Sequence, residues 1–204
     1  MNGPLRGRRI FLSASFPGGD RGKRFQPYDA GEIADAVTAL TRAVFTAGGG
    51  LVFGGHPTIT PLVLFVAGEY HLHQAVDVFQ SRWFEREIPA ETRRFEDAGF
   101  GRIIWTERRS TQQESLRLMR ERMLMETDPL AGVFVGGMEG ILDEWAFFGE
   151  LLADRPRIPL GAPGGAAAQL VNQAGDLPAA VTTQLNSARY PVTAHEIVEY
   201  LRAL

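Results

Sequence analysis

Three hydrophobic runs in the sequence each lead into a cluster of glycines. Ile10-Phe11-Leu12 leads into Pro17-Gly18-Gly19, Leu51-Val52-Phe53 into Gly54-Gly55-His56-Pro57, and Ala131–Val135 into Gly136-Gly137-Met138-Glu139-Gly140. Glycine accepts positive φ and lets a backbone approach a ligand without a Cβ, and a helix N-terminus beyond it offers unpaired N–H groups with partial positive charge. The chemistry such turns permit is phosphate binding. For a single turn the plainer role, closing a tight strand-to-helix connection, is the commoner one; three together shift the balance towards a ligand. None of the three matches the G-x-G-x-x-G dinucleotide fingerprint or the G-x-x-x-x-G-K-[ST] phosphate loop, so neither a nicotinamide dehydrogenase nor an NTPase is supported.

Polar residues cluster near these turns. Ser13 and Ser15 by the first, and Thr58 and Thr60 by the second, are either ligand donors or backbone caps. Arg21, Lys23 and Arg24 either close over a phosphate or stay solvated. His56 is either an acid–base group or a hydrogen-bonder that fixes its own turn. Glu139, Asp143 and Glu144 open a helix, where the macrodipole favours carboxylates in any protein. Glu144 stands about one turn inside, at a depth from which it can reach a ribose hydroxyl or act as a general base. On the preceding helix, Arg122 either pairs with Glu144, holds a phosphate, or makes an i,i+4 ion pair with Glu126. His71 and His73 would splay onto different helix faces, and the 4 histidines show no metal-ligand spacing, so no metal site and no cofactor is expected.

The elements that must hold these groups alternate. Asp29 and Glu32 have the spacing of a capping box before a helix carrying Ile33, Val37, Leu40 and Val44, which Gly48-Gly49-Gly50 ends. Thr58 to Pro61 opens a second helix with proline in its first turn. Ala75–Phe79 and Arg102–Thr106 read as strands. Between them the segment Gln80 to Gly101, with Trp83, Phe84, Phe95 and Phe100, suggests a short helix packed on the body or on a neighbouring subunit. Thr111 and Glu114 cap a helix from Gln112 to about Glu126 with Leu116, Met119 and Met123 on one face, and Asp128-Pro129 ends it. Ile141, Trp145, Phe148 and Leu152 give the helix after the third glycine cluster its apolar stripe; its aromatics, Phe147 included, suit either the core or a dimer interface. Arg157–Leu160 reads as the last strand, followed by an alanine-rich helix to about Gln173, and Thr193 to Glu196 as the cap of a terminal helix with Ile197 and Leu201. This order predicts an α/β fold: a Rossmann-like, doubly wound, mostly parallel sheet with helices on both faces and ligands at the strands' carboxyl ends.

With 204 residues, 45% hydrophobic and 22% charged, the chain reads as a single domain spanning residues 1–204, large enough for its own core. The absence of cysteine excludes disulfides, thiolate nucleophiles and Cys-ligated zinc. Lys+Arg total 21 against 24 Asp+Glu, a net charge of -3, so no field attracts duplex DNA. The stretch from Met1 to Arg9 is basic but no long apolar run follows, and Leu62–Ala67 is far too short to span a bilayer, so a cytoplasmic protein without a membrane partner is expected.

Gly136-Gly137-Met138-Glu139-Gly140-Ile141-Leu142-Asp143-Glu144 is similar to the Pro-Gly-Gly-x-Gly-Thr-x-x-Glu signature of the Lonely Guy (LOG) phosphoribohydrolases, with one extra residue before the third glycine and isoleucine in place of threonine. Met119-Arg120-Glu121-Arg122-Met123 is similar to their Met-His-Glu-Arg-Lys motif. The chain thus resembles the SLOG superfamily of Rossmann-like nucleotide-binding domains over most of its length. The altered glycine loop looks more like the sensor branch found in Thoeris-type antiphage effectors and melastatin-type TRP channels. Phe11–Ser15 and Val52–Pro61 look like a bacterial subgroup linked to conflict systems.

The resemblance implies a stand-alone domain that binds a nucleotide-derived ligand such as NAD or an ADP-ribose-like signal. Its output would pass through a homodimer or higher homo-oligomer, or through a separate effector protein. The alternative it implies is a phosphoribohydrolase acting on nucleoside 5'-monophosphates, with Arg122 and Glu144 in the positions of the family's functional arginine and glutamate; a third reading is an oligomerisation unit with a vestigial pocket. The expected ligand-binding set is Ser13, Ser15, Gly54, Gly55, His56, Thr58, Gly136, Gly137, Met138, Glu139 and Gly140.

Overall fold

The computed structural model describes residues 3–204, apart from the side chains of Glu91 and Phe95. Met1, and the packing expected of Phe95, therefore lie outside the described residues. Strands β1 (Arg9–Ser15), β2 (Gly50–Phe53), β3 (Val76–Ser81), β4 (Gly101–Thr106), β5 (Ala131–Gly136) and β6 (Arg157–Leu160) form a 6-stranded sheet in the order β4-β3-β2-β1-β5-β6. Every pairing is parallel. The helices are α1 (Gly19–Gly22), α2 (Ala30–Thr46), α3 (Thr60–Glu69), α4 (Ala90–Asp97), α5 (Gln112–Thr127), α6 (Glu139–Leu151), α7 (Ala179–Thr182) and α8 (Tyr190–Arg202). This is a Rossmann-like α/β fold, as the alternation of runs predicted.

A parallel sheet is buried on both faces, and side-chain alternation along each strand decides what packs where. Ile10, Leu12 and Ala14 of β1 join Leu51, Val76, Val133 and Ile158 under α2, α3 and α8. Phe11, one residue out of phase, joins Val52, Phe79 and Phe134 under α5 and α6. There Phe11 stacks on Phe148 at 5.7 Å, and Trp145 meets Phe134 edge-on at 5.0 Å. Each such pair contributes about 1 kcal/mol beyond its burial. The same alternation sends Ser13 to the α5/α6 side.

The helix ends follow mostly from local chemistry. The Asp29 carboxylate accepts the Glu32 N–H at 2.9 Å, and Thr111 and Glu114 form the full reciprocal box. Two expectations are corrected. The terminal helix begins at Tyr190 with Pro191 in its first turn, so Thr193 lies inside it, and its buried hydroxyl donates to the Arg189 carbonyl at 3.3 Å instead of capping. Proline's fixed φ starts the helix earlier than the threonine signal suggested. The alanine-rich stretch Ala166–Gln173 is a 3-10 helix. The segment after β3 contains a 3-10 turn, Arg82–Phe84, and the expected short helix, α4, which packs against β4 and α3.

Candidate functional site

From β1 the chain moves to β2 on one side, whereas β5 leads to β6 on the other. Their carboxyl ends therefore flank a topological switch point, where open α/β sheets place ligands. The register closes with Ser15 opposite Gly136, and the Gly137 N–H donates to the Ser15 carbonyl at 2.8 Å. Above this pair opens a cleft of about 510 Å³. Leu12–Ser15 and Phe53–Pro57 form its floor and one side; Leu116, Met119 and Arg120 of α5 face Met138–Ile141 and Glu144 of α6; Arg21, Gln80, Phe84, Glu87, Ile88 and Pro89 complete the wall.

At its centre the Glu144 carboxylate is held at both oxygens. Buried Ser13 donates its hydroxyl to Oε2 at 2.6 Å, and Arg120 donates Nε–H to Oε1 at 3.1 Å. Asp143, one residue earlier, is exposed on the outer side of α6. A carboxylate with a guanidinium and a hydroxyl each fixed on one of its oxygens is aimed by them. Its remaining lone pairs suit accepting hydrogen bonds from a ribose diol.

The second glycine turn is held from within. Gln80 Nε2 donates to the Gly54 carbonyl at 2.7 Å, and a Cβ on Gly55, whose φ is 62°, would fall 2.1 Å from the same nitrogen. The Thr58 N–H donates to His56 Nδ1 at 3.3 Å, which places the proton of the neutral ring on Nε2. Partial desolvation by the turn lowers the His56 pKa below its usual value of 6.5, although the residue keeps an exposed face. Thr58 and Thr60 thus shape the turn: the Thr58 hydroxyl lies 2.9 Å from Nδ1, and Thr60 donates to the His56 carbonyl at 2.9 Å.

Several expected residues lie elsewhere. Arg122 is off the cleft wall, paired with Glu126 and, at 3.6 Å, with Glu107; the guanidinium beside Glu144 belongs to Arg120. Gly136 and Gly137 lie beneath the cleft, with φ of 62° and 73°, and a Cβ on Gly137 would stand 2.0 Å from Ile141 Cγ1. Their glycines are needed for packing against the protein itself. Lys23 pairs with Asp20 on the surface at 2.8 Å, whereas Arg24 reaches across to Glu139. Trp145 and Phe148 are buried in the core, and Phe147 lies under Arg117. Ser13, Ser15, Gly54, Gly55, His56, Met138, Glu139, Gly140 and Glu144 do come together on the wall. The reading of the sequence missed Arg120, Gln80 and the Phe84–Pro89 wall. Arg120 was detectable from its place in the apolar stripe of α5; nothing local marked the others. Among the described residues no group of three or more His, Cys, Asp or Glu side chains could hold a metal, and no helix is long and apolar enough to cross a membrane.

The model of the SLOG cluster3 family matches residues 25–194 of the chain. Among solved structures, the chain is similar to the X-ray structure of TM1055, a structural genomics target, with a TM-score of 0.61 and 15% identity over 97% of this chain and 99% of that one. That likeness extends to the fold. No curated protein matches.

Proposed function

Because the chain belongs to the SLOG cluster3 family, we propose that it binds a nucleotide-derived ligand, of the NAD or ADP-ribose type, in the cleft between β1 and β5. The observation that carries this reading is the double hold on Glu144, by Ser13 at 2.6 Å and Arg120 at 3.1 Å. A carboxylate fixed in this way offers its remaining lone pairs to the 2'- and 3'-hydroxyls of a ribose. Met119, Leu116, Phe84 and Ile88 supply the apolar wall against which a base can lie. A bacterial conflict or antiphage response, read out by assembled copies or by a separate effector, is the context suggested by the resemblance to SLOG sensor domains.

A second reading has one observation in its favour: an arginine and a glutamate do meet in the cleft, so a phosphoribohydrolase would use Arg120 and Glu144. A proton NMR time course with AMP, NAD, ADP-ribose and cyclic ADP-ribose separates the two. The binding reading expects line broadening of at least one ligand with no change in its anomeric signals, and Arg120→Ala should weaken that ligand about tenfold while Arg122→Ala leaves it within twofold. Conversion of AMP to adenine and ribose 5-phosphate would instead establish the hydrolase.

A further inference from the structure

We propose that Glu139 sets the polarity of the ligand: it excludes phosphate from the mouth of α6 and accepts a hydroxyl or amino donor there, leaving the anionic part of the ligand to Arg21 on the segment after β1. The inference rests on the nucleotide-binding reading above. The N-terminus of a helix as long as α6 ordinarily attracts an anion through its free N–H groups and dipole. Here the first residue of that helix is a glutamate on the cleft wall. One of its oxygens is paired with Arg24 from across the mouth. The other, Oε2, is buried and accepts no hydrogen bond. A phosphate brought to this place would meet a carboxylate and an arginine already neutralised by it. A donor group would instead complete the unpartnered oxygen, whose burial is otherwise unfavourable.

The charges around the rest of the cleft agree. The wall carries Glu87, Glu139 and Glu144 against Arg21 and Arg120. Arg120 is engaged by Glu144. Arg21 has no carboxylate partner among the described residues, so it is the wall cation with charge to spare for a phosphate or diphosphate. Ser15 lines the same cleft as a hydroxyl donor.

The test titrates inorganic phosphate, adenosine and AMP into the full chain, following phosphate by phosphorus NMR and the nucleosides by calorimetry, with the melting temperature of each variant checked against wild type. Glu139→Gln removes the charge, frees Arg24 and adds a donor, and should bind inorganic phosphate at least tenfold more tightly than wild type. Adding Arg24→Ala to Glu139→Gln should abolish that gain. Arg21→Ala should weaken AMP at least fivefold and leave adenosine within twofold. Phosphate affinity of Glu139→Gln within twofold of wild type, or AMP affinity indifferent to Arg21→Ala, overturns the proposal. If wild type binds AMP and adenosine but Glu139→Gln gains no phosphate, the role of Glu139 falls and the nucleotide reading survives. If Glu139→Gln gains phosphate through Arg24 while no nucleoside or nucleotide binds wild type, the exclusion of phosphate by Glu139 stands and the nucleotide reading fails.

Discussion

Arg120 and Arg122 are two positions apart on α5, which is about 200° of helical arc, so only one of them can face the sheet edge. The inward stripe is Leu116, Met119, Met123 and Leu124, of which Met119, Met123 and Leu124 are buried. Arg120 falls inside that arc and Arg122 lies roughly 120° from its centre. Letter by letter, the motif puts Arg122 in the position of the family's arginine, whereas the periodicity of the stripe turns Arg120 towards Glu144 and leaves Arg122 to Glu126. Glu144 could be read from its depth in α6; its hold by Ser13 could not, because it joins residues far apart in sequence. His56 carries the titration expected of this site. Its pKa is lowered by desolvation, so the unfolded chain binds the proton more tightly than the folded one. The group therefore costs no stability well above pH 6.5, and a penalty grows as pH falls from 6.5 towards the folded value. A phosphate beside Nε2–H would oppose the lowering. We expect the His56 Cε1–H titration to have its midpoint below 6.5 in the free protein and to move upwards with ADP-ribose; a midpoint unmoved by bound ligand would remove His56 from the anion's surroundings.

The glycine clusters show how much an element reveals and what it conceals. Their place after three buried strands was plain from composition, and so was the α/β alternation they punctuate. The source of the demand for glycine was not. Gly136 and Gly137 take φ of 62° and 73°, and the Cβ positions they lack are filled by Ile33, Ser15 and Ile141. The turn is set by the close seating of β5 and α6 on β1, with the Gly137 carbonyl accepting the Ala166 N–H at 3.0 Å. The start of α8 was set too late because the capping pattern at Thr193 was weighed above Pro191, whose fixed φ suits the first turn. Gly137→Ala combines a left-handed backbone with a Cβ only 2.0 Å from Ile141 Cγ1, and should lower stability by about 2–4 kcal/mol in chemical denaturation. Because the residue lies beneath the cleft, the surviving folded fraction should bind ligand with affinity within threefold of wild type. Retained stability with lost binding would return this glycine to the ligand cradle.

Across the whole molecule, the two edges of the sheet carry different duties. The carboxyl edge gathers the cleft, with Glu144, Arg120 and Ser13 drawn from α6, α5 and β1. At the opposite edge Asp77, a carboxylate 3% exposed at the start of β3, is held by Arg9 of β1 at 2.7 Å and by Arg102 of β4 at 2.7 Å. Arg102 stands opposite Asp77 in the β3–β4 register, whereas Arg9 reaches it across β2 and also donates to the Gln74 carbonyl at 2.9 Å. The triad ties β1, β3 and β4 together through their side chains, with Arg9 spanning the intervening β2. A charge this buried is tolerable because two guanidiniums saturate it, and removing it leaves Arg9, 22% exposed, without its anion. Breaking a buried pair from one side typically costs several kcal/mol, and partial exposure of both arginines softens this. Asp77→Ala should therefore lose about 2–3 kcal/mol of stability. The cleft lies at the other end of the strands, so ligand affinity measured below the lowered melting transition should stay within twofold of wild type. The converse is expected of Arg120→Ala, which should weaken ligand binding more than it lowers the melting temperature. A melting temperature indifferent to Asp77→Ala, or a loss of ligand affinity in the folded variant, would mean that the two edges are not independent, and that strand register at the base of the sheet sets the geometry of the cleft.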